Sequence, residues 1–190
     1  MKLSDQELVR RCKDGERQAF QELVERYQRK AVAIAVGILR DPDDGVDVAQ
    51  EAFSKVYTSI AGFKEESSFS TWLYRIVVNL AIDRQRQQTR RSMFEWYQAG
   101  TREGEDWIES VPDTNEPEPP EHAEDRELGR HIWAAIDELT PAHKAVILLR
   151  AIEGLSYDEI SQTLKCSRGT VMSRLHYARK KLQTRLDRYL

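Results

Sequence analysis

The chain has 190 residues, 40% of them hydrophobic and 32% charged, with a formal net charge of −3. That is room for one or two small domains with cores of their own, and the longest apolar run, Ala31–Leu39, falls far short of the roughly 20 residues a bilayer span needs. The charge is segregated: residues 1–91 hold 16 Lys and Arg against 14 Asp and Glu, residues 92–125 hold 1 against 11, and residues 126–190 hold 12 against 7.

The pattern is helical almost throughout, and no β-alternating run of any length is present. Ser4 and Glu7 have the spacing of a capping box, in which a hydroxyl and a carboxylate satisfy helix-end amides reciprocally. The helix they open stops near Gly15. A second helix is predicted from about Glu16 to Leu39, with Phe20, Leu23, Val24, Tyr27, Ala31, Ile34 and Ile38 at core spacing. The segment Asp41 to Gly45 breaks it. A third helix, about Asp44 to Ser59, should bury Val48, Ala49, Ala52, Phe53, Val56 and Ile60. After Gly62 a polar loop leads to a fourth helix, about Ser70 to Arg90.

Residues 92–125 change character. Pro112, Pro117, Pro119 and Pro120 lie among Glu and Asp, and low hydrophobicity with high net charge predicts a flexible linker. Beyond it, Thr140 and Pro141 read as N-cap and first residue of a helix that carries Ala145, Val146, Leu148, Leu149 and Ile152 and ends at Gly154. Ser156 and Glu159 make a second capping box, for a helix burying Ile160 and Leu164. Lys165 to Ser167 form a turn, and Ser167 caps a last helix to about Arg188. The expected fold is all-α: two small helical domains, 1–91 and 126–190, joined by an acidic flexible linker, 92–125, with a helix–turn–helix in the second domain.

On the last helix Val171, Leu175, Ala178 and Leu182 form a core stripe. The other side presents Gly169, Ser173, His176 and Lys180, flanked by Thr170, Met172 and Tyr177, with Arg168, Arg174 and Arg179 nearer the stripe. From Lys165 to Leu190 there are eight basic residues against one acid, Asp187. Such a helix can enter a major groove, its early residues meeting base edges and its basic flanks meeting phosphates. Gly169 suits a backbone that comes close to its target. Basic terminal helices also occur on plain solvated surfaces, but two capped helices, a three-residue turn and the charge excess together favour DNA.

The fourth helix carries a second candidate surface. With Trp72 at zero on a helical wheel, Arg75, Asn79, Asp83, Arg86 and Arg90 fall within about 60 degrees of it at about 100 degrees per residue. Phe69 and Tyr74 stand nearby, while Leu73, Ile76, Val77 and Leu80 occupy an adjacent, inward sector. Aromatic rings stack on unpaired bases and cations follow the backbone, so the stripe suits single-stranded nucleic acid. Trp72 as a core residue beside solvated arginines explains the same pattern equally well.

Together these residues resemble the extracytoplasmic-function (ECF) sigma factors, small initiation factors of bacterial RNA polymerase. The resemblance runs over nearly the whole chain: Ala19, Phe20, Leu23, Arg26 and Tyr27; Asp47 to Tyr57; Phe69 to Ile76 with Asn79; Leu139 to Pro141; Gly154 to Ile160; and Gly169 to Arg179. It looks most like the sigma-E branch. The resemblance implies that 1–91 is sigma region 2 and 126–190 sigma region 4. It implies that Asp47, Gln50, Glu51, Phe53 and Lys55 dock on the clamp of the polymerase's largest subunit. Phe69, Trp72, Tyr74, Arg75, Asn79 and Arg86 would hold the opened −10 strand. Arg168, Gly169, Thr170, Met172, Ser173, Arg174, His176, Tyr177, Arg179 and Lys180 would read the −35 duplex. Met172 and Tyr177 depart from the family, where many relatives carry a basic residue. An anti-sigma protein is the expected further partner. The linker, threading the polymerase in the family, acts either as a polyanion mimic or as a solubilising spacer.

The competing function is an operator-binding regulator with an N-terminal sensory domain. An enzyme is disfavoured, because no nucleophile–base pair, phosphate loop or metal cluster stands out. The acids from Asp41 to Asp47 imitate a calcium loop only superficially, since its sixth position is Val46 and its twelfth Ala52. Cys12 and Cys166 are far apart and outside any CxxC, and the four histidines lack ligand spacing. The expectation is therefore a cytoplasmic protein with no cofactor, no metal and no membrane insertion; the polar N-terminus shows no signal-peptide pattern.

Overall fold

The computed structural model of the chain describes residues 3–98 and 123–187. The expected acidic linker lies mostly outside the described residues. At its edges the helices continue past the predicted boundaries, to residue 98 on one side and from residue 123 on the other. Among the described residues all regular structure is helical: α1 (Asp5–Lys13), α2 (Arg17–Leu39), α3 (Pro42–Ser59), a 3₁₀ turn (Ile60–Gly62), α4 (Phe69–Gln98), α5 (Ala123–Asp137), α6 (Pro141–Glu153), α7 (Tyr157–Leu164) and α8 (Arg168–Leu186).

Local chemistry accounts for the helix ends. Ser4 accepts from the Glu7 amide at 3.2 Å, but the expected reciprocal box is one-sided. The Glu7 carboxylate turns to Arg10 (2.7 Å) and Arg11 (2.9 Å), and these hydrogen bonds hold its pKa down at about 2. A flexible glutamate with two guanidiniums one turn away gains several bonds in which both partners are charged, where the cap amide offers a single neutral donor. α3 starts two residues before the predicted position, because Asp41 accepts from the Asp44 amide at 2.9 Å and Pro42 supplies the first turn. What the sequence suggests is a helix breaker is also a helix N-cap.

In the first domain α1, α2, α3 and α4 enclose Leu8, Val9, Leu23, Ile34, Ile38, Val48, Val56, Leu73 and Val77, all at most 1% exposed. The six residues predicted for the core of α3 are all buried. Polar ties fix the helices laterally. Asp5 on α1 accepts from Arg26 (2.5 Å) and Tyr27 on α2, and Asp44 on α3 accepts from Arg84 (2.7 Å) and Gln88 on α4. α3 lies so close to α2 at Gly45 that a Cβ there would fall 2.4 Å from Val36 Cγ2 and 3.0 Å from Val36 N.

In the second domain Gly154 ends α6 with φ +65°, a conformation that costs other residues. Ser156 and Glu159 form the full capping box predicted for α7. Lys165 takes φ 49° at the end of α7, Ser161 Oγ donates to the Cys166 carbonyl at 2.6 Å, and Ser167 accepts from the Thr170 amide at 3.1 Å to open α8. Val146, Leu149, Ile160, Val171, Leu175 and Ala178 form the core. Leu164 and Leu182 are half-buried, and Thr163 takes the inner position on α7.

The two domains share one continuous apolar core. α2 packs on α6 and α4 on α7. Gly37 permits the first contact: a Cβ there would meet Leu148 Cδ1 of α6 at 2.7 Å. Around that seam Arg40 pairs with Asp137 (3.0 Å) and lies over the Trp133 ring, and Glu153 at the end of α6 takes bonds from Lys30 (2.9 Å) and Tyr74 (2.6 Å).

Gly45→Ala should destabilise the chain by about 1–2 kcal/mol. Overpacking against the α2 backbone costs roughly 1–3 kcal/mol and outweighs the helix-propensity gain of up to about 1 kcal/mol. Urea unfolding measures it; an unchanged or raised midpoint would show that α2 and α3 do not meet there.

Candidate nucleic-acid interface

α8 presents the side chains expected of a groove-reading helix. Its inner stripe, Val171, Leu175 and Ala178, is at most 1% exposed. Arg168, Gly169, Ser173, His176, Arg179 and Lys180 are exposed, and Thr170 and Arg174 half-buried. Met172 and Tyr177 are each 52% exposed, two of four large hydrophobic residues so exposed among the described residues. Among the described residues a Cβ at position 169 would meet only Ser167 Oγ, at 3.8 Å, so their packing does not require glycine there. Arg168 sits 3.5 Å from Asp158 on α7.

Tyr177 has a neighbour on one side. Its ring leans on His143 of α6, with centroids 4.6 Å apart, and His143 Nδ1 is 2.6 Å from Thr140 Oγ1. Burial first, then Arg174 and Lys181 nearby, push the His143 pKa below its ordinary value, so at neutral pH an uncharged imidazole supports the tyrosine. The sequence picked out Tyr177 but not its support; His143 is on another helix, and nothing in the spacing joins the two.

The stripe on α4 divides. Phe69, Trp72 and Tyr74 are buried, Tyr74 completely. Trp72 stacks on Phe63 (4.5 Å between centroids, 12° between planes) with Phe69 edge-on at 6.1 Å. Phe69 also packs on Tyr27. Tyr74 donates to Glu153 across the domain seam. The rings expected beside an open strand are thus largely core in this arrangement, because Phe69 and Tyr74 fall on the sector that faces α2 and α6. Arg75 is half-buried, while Asn79 and Arg86 are exposed, Arg86 3.7 Å from Asp83.

A pocket of about 580 Å³ opens at the head of that stripe. Phe63, Lys64 and Ser67 of the loop line one side, Trp72 and Arg75 the other, and Gln162 of α7 closes part of the rim. Its walls combine aromatic rings with the Arg75 guanidinium, the Lys64 ammonium and the hydroxyls of Ser59 and Ser67, and Glu66 adds one carboxylate; rings beside cations suit an unpaired base. Phe63 lies in the loop Ala61–Ser70, which the family resemblance implies helps to capture the opened strand, although the sequence does not single out its ring.

The third surface is the outer face of α3. Asp47, Gln50, Glu51 and Lys55 are exposed, with Glu51 and Lys55 paired at 3.0 Å, and Phe53 is buried at 8%. Beside them lies a shallow groove of about 480 Å³ lined by Phe53, Arg17, Phe20 and Tyr57. Tyr57 is 50% exposed and meets Phe20 edge-on at 4.9 Å. Tyr57 and Phe20 extend the predicted charged rim with an apolar centre, the composition of a protein-docking surface. Among the described residues no helix is long and apolar enough to cross a membrane.

Known proteins share this layout. Residues 23–91 match the family model for Sigma-70 region 2 and residues 130–182 that for Sigma-70 region 4. The ECF RNA polymerase sigma-E factor of Haemophilus influenzae is 38% identical over 185 residues, covering 97% of this chain and 96% of the relative. The RNA polymerase sigma-H factor of Pseudomonas aeruginosa is 35% identical over 184 residues, with 96% and 94% covered. Among solved structures, CnrH in complex with the cytosolic domain of CnrY is similar with a TM-score of 0.70 at 25% identity, covering 96% of this chain and 97% of that one. The Bartonella quintana sigma factor RpoE, solved with the anti-sigma factor NepR, shares the fold with a TM-score of 0.64 at 20% identity, covering 88% and 96%. Identity of this order runs end to end in both chains, and both family models match in the same order: the chain belongs to the extracytoplasmic-function sigma factors of RNA polymerase.

Proposed function

We propose that the protein initiates transcription through three contacts: α3 on the polymerase core, the Trp72–Arg75 pocket on the opened −10 strand, and α8 on the −35 duplex. It acts in the cytoplasm as an initiation factor without a reaction of its own. The observation that carries this reading is the pocket at the head of α4, with its stacked Phe63–Trp72 floor and Arg75 wall. An operator-binding regulator needs α8 but has no use for a pocket at the head of α4 that sets aromatic rings beside a guanidinium. Capturing an unpaired base favours the melted state, because pocket contacts offset the cost of unstacking.

On α3, the charged positions Asp47, Gln50, Glu51 and Lys55 surround Phe53, Phe20 and Tyr57 as a rim around an apolar centre. On α8, Arg168, Arg174, Arg179 and Lys180 supply the phosphate contacts that dominate affinity, while Met172, Ser173, His176 and Tyr177 face the bases. Methionine makes apolar contact with a thymine methyl but not the bidentate bond of arginine to guanine. A bound anti-sigma protein is part of the proposal, in keeping with the family and with the complex of the Bartonella sigma factor.

Run-off transcription tests the reading. Core polymerase plus this chain should yield promoter-specific transcripts that core alone does not. Specific duplex binding without polymerase, and no transcript from a broad promoter library, would instead establish the operator-binding regulator. In the same system Met172→Arg should change the preferred −35 base pairs, by about 1–3 kcal/mol of discrimination at the contacted pair; an unaltered selected motif would remove Met172 from the reading face. Lys180→Ala should weaken binding evenly across sequences and lower the log–log salt slope by about 1, and a sequence-dependent loss would mean that Lys180 touches a base.

A further inference from the structure

One wall of the Trp72–Arg75 pocket is a loop rather than a helix, and an unusual residue stands in it. Among the described residues three non-glycine residues take a positive φ: Arg40, Glu65 and Lys165. Arg40 and Lys165 end α2 and α7, where a left-handed residue closes the helix. Glu65, at φ 59°, lies between the 3₁₀ turn and α4 and caps neither. A residue with a Cβ is disfavoured in this conformation and keeps it only where its surroundings over-determine it.

Lys13 of α1 supplies that constraint. Its Nζ is 2.5 Å from Glu65 Oε1 and 5.9 Å from the centre of the Phe63 ring, inside the reach of a cation–π contact. One cation thus meets the loop at two residues, and Phe63 in turn stacks on Trp72. α1 also packs on the 3₁₀ turn that starts the loop. Charge makes the carboxylate odd for any other purpose. Lys64 and Glu66 line the pocket, while Glu65 between them turns to Lys13. Glu66 already brings one negative charge to the pocket, and a second, unpaired one would repel a polyanion further. Paired with Lys13, Glu65 ties the loop down without presenting a free charge.

We propose that Lys13 is a positioning residue for strand capture: from α1 it holds Glu65 and Phe63, and so fixes the loop that sets the Phe63–Trp72 stack beside Arg75. Lys13 lies ahead of the residues matched to Sigma-70 region 2, which begin at 23, so α1 gains a part in the work of the pocket. The proposal rests on the −10 reading of the pocket for its purpose, though not for its geometry. The rival role for Lys13 is a direct phosphate contact, and the two roles differ in sign at Glu65. Removing the Glu65 carboxylate helps a phosphate contact, because it frees the lysine and takes away a repelling charge. The same change harms a loop anchor.

The full chain on core polymerase is titrated with a fluorescent single strand, the best binder that the parent complex selects from a random DNA pool, and −35 duplex protection is measured alongside. Lys13→Met keeps the aliphatic stem but loses both contacts, and should weaken strand binding about five-fold. Glu65→Gln loses the ion pair alone and should weaken it about three-fold. The double variant should bind no more weakly than Lys13→Met, since the two changes remove one interaction. Lys13→Arg keeps the cation and should stay within about two-fold of the parent, and every variant should protect the −35 duplex as the parent does. The Phe63 amide donates to the Ile60 carbonyl at 3.1 Å, so its hydrogen exchange in the free chain reads the loop without nucleic acid. Lys13→Met and Glu65→Gln should each speed that exchange a few-fold, the size of a solvent-screened pair. Tighter strand binding by Glu65→Gln, additive losses in the double variant, or unchanged exchange in both single variants would overturn the anchor. Faster exchange in both, with no strand bound by the parent complex, would leave the anchor standing and overturn the −10 reading that gives it a purpose.

Discussion

Helix α2 is buried on two sides, and the rest of the structure depends on that. Leu23, Ala31, Ile34, Ala35 and Ile38 are inaccessible to solvent. One side of the helix receives α3 and α4, and the other receives α6. Small residues set the spacing: Gly45 lets α3 approach the α2 backbone, and Gly37 lets Leu148 of α6 do so. Fully burying a single Leu or Ile is worth about 1.5–3 kcal/mol, so a helix with several such residues on both flanks holds its neighbours without polar help. The ion pairs along its length select a geometry that burial has already made favourable.

Each exposed face follows from an element held by this packing. α3 turns Val48, Ala52 and Val56 toward α2 and so turns Glu51 and Lys55 outward. α4 buries Leu73, Tyr74 and Val77, which sets Trp72 at the surface edge of the core with Arg75 beside it. α8 buries Val171, Leu175 and Ala178 and keeps its cations in water. The same periodicity that folds the protein therefore distributes its contacts, and no element is devoted to binding alone.

Much of this was legible in the residues. The i, i+4 and i, i+7 stripes of α3 and α8 identify their buried faces, and Ser156, Glu159 and Ser167 mark helix starts through local chemistry that needs no tertiary context. What escaped depends on which of several partners a side chain chooses, close in sequence or far from it. Glu7 forgoes its capping role because two arginines are within reach. Tyr74, expected on the nucleic-acid face, gives its hydroxyl to Glu153, 79 residues away. The support of Tyr177 by His143 and the stacking of Phe63 on Trp72 likewise join separate elements. One-dimensional periodicity says which side of a helix is inward; it does not say which neighbour meets it.

The central claim is that a single chain ties duplex recognition to strand capture once it is on polymerase. Permanganate probing of one promoter, combined with nuclease footprinting, examines both at once. Core polymerase with this chain should protect the −35 duplex and make thymines near −10 reactive in the same complexes, and Arg75→Ala should lose the reactivity about tenfold while keeping the protection. Protection by the chain alone, with no reactive thymine when polymerase is added, would contradict the account.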